Sequence, residues 1–170
     1  GLYDRLTARE NIRYFAMLNG LSEETIDDRL RETARMLEME DFLDRRAGTL
    51  STGMSQKTSI ARSIIHDPAV LLLDEPVAGL DVSSSANIFR FIRLYRSRGK
   101  TVLLSSHRMD VVRRLCDRVL VIHRGEMVAG GTPEELLRAA GAGKGESETG
   151  DLSSGERFER AFLELTGARR

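Results

Sequence analysis

Three things are scarce in this chain of 170 residues, and each scarcity removes a class of reading. Net charge is the first: 26 Lys and Arg side chains balance 26 Asp and Glu, which leaves no electrostatic case for general binding to nucleic acid or to an anionic membrane surface. Cysteine is the second. Cys116 stands alone, which excludes an internal disulfide, fits a reducing compartment, and reads as a small buried hydrophobe. The third is the long apolar run: no stretch approaches the roughly 18 residues that span a bilayer, and no signal-peptide pattern is visible. Service to a membrane would therefore run through a partner. The composition that remains, 41% hydrophobic and 31% charged, is that of a globular chain long enough for one domain with a real core.

The first part reads as helical. Thr7-Ala8-Arg9-Glu10 is a capping box, Ile12, Phe15 and Ala16 mark an apolar stripe, and Gly20 supplies a stop. A second helix is expected after Ser22, with Ile26, Leu30, Ala34 and Leu37 on one face. A third is expected from near Ser51 to His66-Asp67-Pro68, because proline disfavours helix in the residue before it. From Ala69 the pattern changes to short apolar runs separated by helix, as in a parallel sheet covered on both faces. Strands are expected over Ala69 to Leu73, Thr101 to Leu104 and Val119 to Ile122, with a shorter one near Met127 to Ala129. Between the first two lies a helix with Ile88, Phe91, Ile92 and Tyr95 inward, stopped by Gly99; Arg90, Arg93 and Arg96 read as its solvated face. Thr132-Pro133-Glu134-Glu135 caps a further helix ending near Ala140. The expected division is 1–68 helical subdomain, 69–140 sheet portion, 141–154 linker, and 155–170 an amphipathic helix bearing Phe158, Phe162 and Leu165.

Four motifs carry chemistry. The run Leu71-Leu72-Leu73-Asp74-Glu75-Pro76 is an apolar strand ending in two carboxylates, at the sheet edge where α/β folds bind ligands; by itself such a run is more often a solvated loop start. Leu50-Ser51-Thr52-Gly53-Met54 opens a helix. Such an N-terminus offers free N–H groups and a positive dipole end to an anion, with Ser51 as an added hydroxyl donor and Gly53 free of a Cβ; taken singly it is more often only an N-cap. Gly79-Leu80-Asp81 and Ser105-Ser106-His107 complete the set, the histidine being an exposed loop residue if taken singly. His66 and His123 have no such setting.

In order and approximate spacing these motifs resemble the second half of an ABC-type ATPase, the ATP-binding subunit of bacterial exporters of the sodium-extrusion or drug-export type. The resemblance implies a partial P-loop NTPase domain, α/β in class, with a helical subdomain followed by a mostly parallel sheet with flanking helices. It implies ATP and Mg²⁺ as ligands: Asp74 orients the metal, Glu75 is the general base, and His107 senses the γ-phosphate. Ser51, Thr52 and Gly53 form the signature segment, with Thr52 and Met54 departing from the usual Leu-Ser-Gly-Gly-Gln, and Asp81 belongs to a loop that crosses to the opposite subunit. The implied partners are a transmembrane permease subunit, which the region of Tyr3-Asp4 would contact, and a second ATP-binding subunit, giving a homodimer at the cytoplasmic face of the cell membrane; no nucleic acid is expected.

The phosphate-cradling pattern G-x-x-x-x-G-K-S/T matches no stretch of the chain. Gly143-Lys144 comes nearest, but Gly145 replaces the hydroxyl and Arg138 the first glycine. The sequence, opening on Gly1, is therefore expected to be a fragment of an ATPase, inactive alone and with apolar sheet surface uncovered. Two alternatives stay open: a non-transport ABC ATPase acting on nucleic acid or ribosomes, and a non-catalytic interaction fragment.

Overall fold

A computed structural model of the chain describes residues 1–140, 160, 162–164 and 167. They divide into two compact units, one of residues 1–105 and one from Ser106 onward.

The first unit begins with three helices: α1 (Ala8–Leu18), α2 (Glu23–Leu37) and α3 (Thr52–Ile64). Their starts are chemically specified. Thr7 and Glu10 form the expected capping box, with the Thr7 amide donating to Glu10 Oε2 at 2.7 Å and the Glu10 amide to Thr7 Oγ1 at 3.1 Å. The Thr7 backbone N–H first, and then the Thr7 hydroxyl, which donates to Glu10 Oε2 at 3.1 Å, hold the Glu10 carboxyl below its ordinary range. Ser22 caps α2 and Ser51 caps α3. The stops are left-handed residues, Gly20 at φ +76° and Glu38 at φ +51°. Ile12, Ala16, Ile26, Leu30, Ala34 and Leu37 are all buried, and α1 packs on both α2 and α3. Asn11, fully buried on α1, accepts from the Tyr3 amide at 2.8 Å and donates to the Tyr3 and Thr7 carbonyls at 3.1 and 2.9 Å. One side chain thereby pins the segment leading into α1. Lys57 of α3, also buried, donates to the Glu38 carbonyl at 3.1 Å and satisfies the end of α2; burial pulls its pKa down.

After α3 the chain forms β1 (Val70–Asp74), α4 (Val82–Ser97) and β2 (Thr101–Ser105). The strands are parallel and in register, Leu72 beside Leu103 and Asp74 beside Ser105. As expected, α4 buries Ile88, Phe91, Ile92 and Tyr95, and the Tyr95 hydroxyl donates to the Pro68 carbonyl at 2.8 Å. Burial pushes that phenol up to about 12. Arg90 lies on the exposed face of α4, where it pairs with Glu38 and meets Asn87. Cover on both faces of the sheet is not found among the described residues. Leu71 and Leu73 are buried, while Val70, Leu72 and Leu103 remain 52%, 69% and 58% exposed.

The second unit holds α5 (Met109–Leu115), β3 (Val119–His123), β4 (Glu126–Gly131) and α6 (Pro133–Ala139). The short helix α5 was not anticipated, and β3 pairs with β4 antiparallel. Arg124 and Gly125, at φ +50° and +84°, make the two-residue turn between them; two positive φ values match the right-handed strand twist of such hairpins. Thr132 and Glu135 form the second expected capping box, with Pro133 at the helix start. Val112, Val121 and Leu136 make the core, against which Cys116, half-buried, and Phe162 pack. The linker 141–154, Phe158 and Leu165 lie outside the described residues.

One buried hydroxyl breaks the rule of satisfaction. Ser85 Oγ on α4 has no hydrogen-bond partner among the described residues, and an unmet buried polar group costs about 1–3 kcal/mol. Ser85→Ala is expected to leave the protein as stable or raise its stability by about 1 kcal/mol in urea unfolding; a loss of that size would show that the hydroxyl has a partner.

Candidate functional site

The parallel register of β1 and β2 places Asp74 and Glu75 beside Ser105 at the C-terminal strand edge. Ser105 uses its hydroxyl in both directions: it donates to Asp74 Oδ1 and accepts from the Glu75 amide, the latter at 3.2 Å. The Glu75 amide also reaches the Ser105 carbonyl at 3.2 Å. Glu75 sits at φ +43°, a left-handed conformation that costs a residue with a Cβ of order 1–3 kcal/mol and persists where the surroundings over-determine it. Here the bonds to Ser105 supply that determination. Asp74 is thus held by a hydroxyl while remaining exposed, and Glu75 is half-buried just beyond the strand. In the sequence Ser105 is only the lead-in to His107; its register with Asp74 gives it the role of holding the acidic pair.

The segment expected to be the signature, Leu50 to Met54, lies at the start of α3. Ser51 is the N-cap, its Oγ accepting from the Met54 amide at 3.3 Å. Accepting uses a lone pair and leaves the hydroxyl proton able to donate elsewhere. Ser51 and Thr52 are exposed, and Gly53 is buried. Capping and anion binding are therefore compatible at this terminus, since one serine cap leaves other N–H groups of the first turn without an intrahelical partner.

Asp81 proves to be the N-cap of α4. It accepts from the Ser84 amide at 2.8 Å and from the Ser84 hydroxyl at 2.7 Å. These bonds, the backbone one foremost, hold its carboxyl below the ordinary aspartate range. The turn leading to it is bonded from Ala78 N–H to the Glu75 carbonyl at 3.1 Å and from Leu80 N–H to the Val77 carbonyl at 3.3 Å, with Gly79 at φ +69°. One tight turn therefore connects Glu75 to Asp81. Within the first unit the structure gathers Asp74, Glu75 and Ser105 at one edge, and sets Gly53 against Ser84, which bonds Asp81.

His107 belongs to the second unit, exposed in the loop between β2 and α5. The loop is shaped by the Arg108 amide donating to Ser106 Oγ at 3.1 Å and by Arg108 pairing with Asp110 at 3.0 Å. Among the described residues no cluster of three or more His, Cys, Asp or Glu could hold a metal. The exposed carboxylate of Asp74 could hold Mg²⁺ that arrives with a nucleotide, since that ion is bound through one or two carboxylates plus substrate phosphates and waters. No helix among the described residues is long and apolar enough to cross a membrane.

Residues 1–78 match the family described as ABC transporter. The chain belongs to the ABC ATPase family. It is 49% identical over 140 residues to the ABC transporter ATP-binding protein NatA of Bacillus subtilis (strain 168), an alignment covering 82% of this chain and 56% of that protein. To the Nod factor export ATP-binding protein I of Rhizobium sp. (strain N33) it is 36% identical over 136 residues, covering 80% and 45%. Among solved structures, an ATP-binding subunit of an ABC transporter aligns with TM-score 0.79 at 30% identity, over 98% of this chain and 65% of that one. A dimeric ATP-binding cassette in a post-hydrolysis state, bound to ADP and phosphate, aligns with TM-score 0.69 at 28% identity, over 78% and 59%. The chain spans about half the length of the curated relatives it matches.

The cap at Asp81 makes a prediction about acid. A carboxyl whose folded pKa is depressed adds stability that is fully present above its unfolded pKa and lost as pH falls through the folded one. Asp81→Asn keeps a competent N-cap and removes that titration, so unfolding measured between about pH 2 and 5 should depend less steeply on pH than in the wild type. An unchanged slope would mean that the Ser84 bonds do not form in solution.

Proposed function

We propose that the chain is the signature-and-hydrolysis portion of an ATPase subunit that energises an export-type ABC transporter. The observation that carries this reading is the pair Asp74-Glu75 held by Ser105 at the edge of two parallel strands. MgATP is the substrate. Asp74 offers its carboxylate to the metal and its waters, while Ser105 keeps the side chain oriented. Glu75, turned off the strand axis by its left-handed backbone, polarises the attacking water as general base. His107 donates an imidazole N–H to the γ-phosphate and registers its loss. The lysine-bearing phosphate loop comes from another part of the subunit, in keeping with relatives of which this chain covers 56% and 45%.

Two subunits sandwich two ATP molecules. Each site takes Asp74, Glu75 and His107 from one protomer, and Ser51, Thr52 and Gly53 at the α3 terminus from the other. Asp81 lies on the crossing loop between them. A likeness to a dimeric cassette holding ADP and phosphate supports this arrangement. Closure on ATP and opening after hydrolysis move a membrane-embedded permease subunit, so the ATPase works peripherally on the cytoplasmic face. The relatives' names point to export, and the permease selects the cargo.

In the complete subunit, Glu75→Gln should retain ATP binding and lower turnover by about 10²- to 10⁴-fold, the usual loss for a positioned general base. The ATP-bound dimer should accumulate on gel filtration. Unchanged turnover would place the base elsewhere.

A mixed dimer tests the shared site. With Ser51→Arg in one protomer and Glu75→Gln in the other, each homodimer should be nearly inactive, while the mixed dimer keeps one intact composite site and recovers part of the activity. No recovery, together with no nucleotide trapped at the intact site of a dimer shown to form, would overturn the sandwich.

A further inference from the structure

Gly53 has a structural demand on it that owes nothing to nucleotide. A Cβ built on Gly53 would lie 2.7 Å from Ser84 Oγ and 3.2 Å from Ser84 Cβ, with Leu80 Cδ2 at 4.0 Å. The first distance is far inside van der Waals contact, so the first turn of α3 rests directly on the first turn of α4. Ser84 cannot simply swing its hydroxyl away, because Oγ donates to Asp81 Oδ2 at 2.7 Å while its amide donates to Asp81 Oδ1 at 2.8 Å. The same serine thus holds the cap of α4 and forms the surface on which Gly53 sits. Ser84 is half-buried and Asp81 is exposed, so the inner end of the link is packed and its outer end faces solvent.

We propose that Ser84 is a positioning residue that couples the Asp81 loop to the signature segment within one protomer. A shift of Asp81 displaces Ser84, and Ser84 displaces the start of α3 through the Gly53 contact, so the two parts that reach toward the other subunit move as one. Glycine is required at position 53 for this contact in addition to any close approach to phosphate. The coupling rests on the reading of Ser51 to Gly53 and Asp81 as parts of an ATP sandwich; the packing itself does not.

The experiment is a double-mutant cycle in the complete subunit carrying Glu75→Gln, read in two ways: thermal unfolding without nucleotide, and the ATP concentration at half-maximal dimerisation. Gly53→Ala should lower the melting temperature and raise the ATP midpoint. Ser84→Ala alone should raise the ATP midpoint by roughly 10-fold, the scale of one lost hydrogen bond. The double variant Gly53→Ala with Ser84→Ala removes the 2.7 Å clash and should recover most of the melting temperature and at least the Ser84→Ala midpoint. A Gly53→Ala melt equal to the parent's, or a double variant that melts no higher than Gly53→Ala, overturns the contact. A melt that recovers while the ATP midpoint stays at the Gly53→Ala value would show that Gly53 serves phosphate approach alone, and a Ser84→Ala midpoint equal to the parent's would make Ser84 merely structural; either overturns the coupling. A parent that never dimerises with ATP would overturn the sandwich reading and the coupling with it, whereas the melting arm would still report on the contact.

Discussion

A missing methyl group governs how the first unit is assembled. Because Gly53 presents no Cβ to Ser84, the N-termini of α3 and α4 come closer than two ordinary helices allow, and both carry serine-based or aspartate-based caps at that point. The consequence reaches along the chain in both directions. Toward the N-terminus, α3 is fixed against α1 and tied to α2 through Lys57. Toward the C-terminus, α4 begins at Asp81, and the bonded turn from Glu75 to Asp81 ends there. Helix starts, not helix bodies, therefore register the signature segment against the turn that follows the acidic pair.

The strand edge works on a different principle. Parallel pairing aligns Asp74 with Ser105, and one hydroxyl then serves as donor to the carboxylate and acceptor from the next amide. The left-handed backbone at Glu75 is a local cost accepted where two strands and one serine determine the conformation together. Such strain at the residue proposed as base is consistent with a site whose geometry takes precedence over local preference. Val70, Leu72 and Leu103 present an exposed apolar face beside this edge.

Much of the helical part was legible because its signals are local. Capping at Thr7, Ser22, Ser51 and Thr132 needs only a side chain and an amide three positions on, and each of these caps is found. The inward face of α4 followed from apolar spacing alone. The short helix α5 escaped notice because seven residues carry too little periodicity. The antiparallel β3–β4 pairing escaped because Arg124-Gly125 lacks the asparagine or aspartate that usually marks a two-residue turn.

The order of the motifs, the caps, and the identities of Ser51, Gly53, Asp74, Glu75, Asp81 and His107 as residues of interest were determined by the sequence, since each depends on residue type and short spacing. Only the tertiary structure decided that Ser105 holds the acidic pair and that Gly53 lies on Ser84. These contacts join residues some thirty positions apart. Their existence depends on strand register and on how closely two helix ends approach, which no window of the sequence encodes.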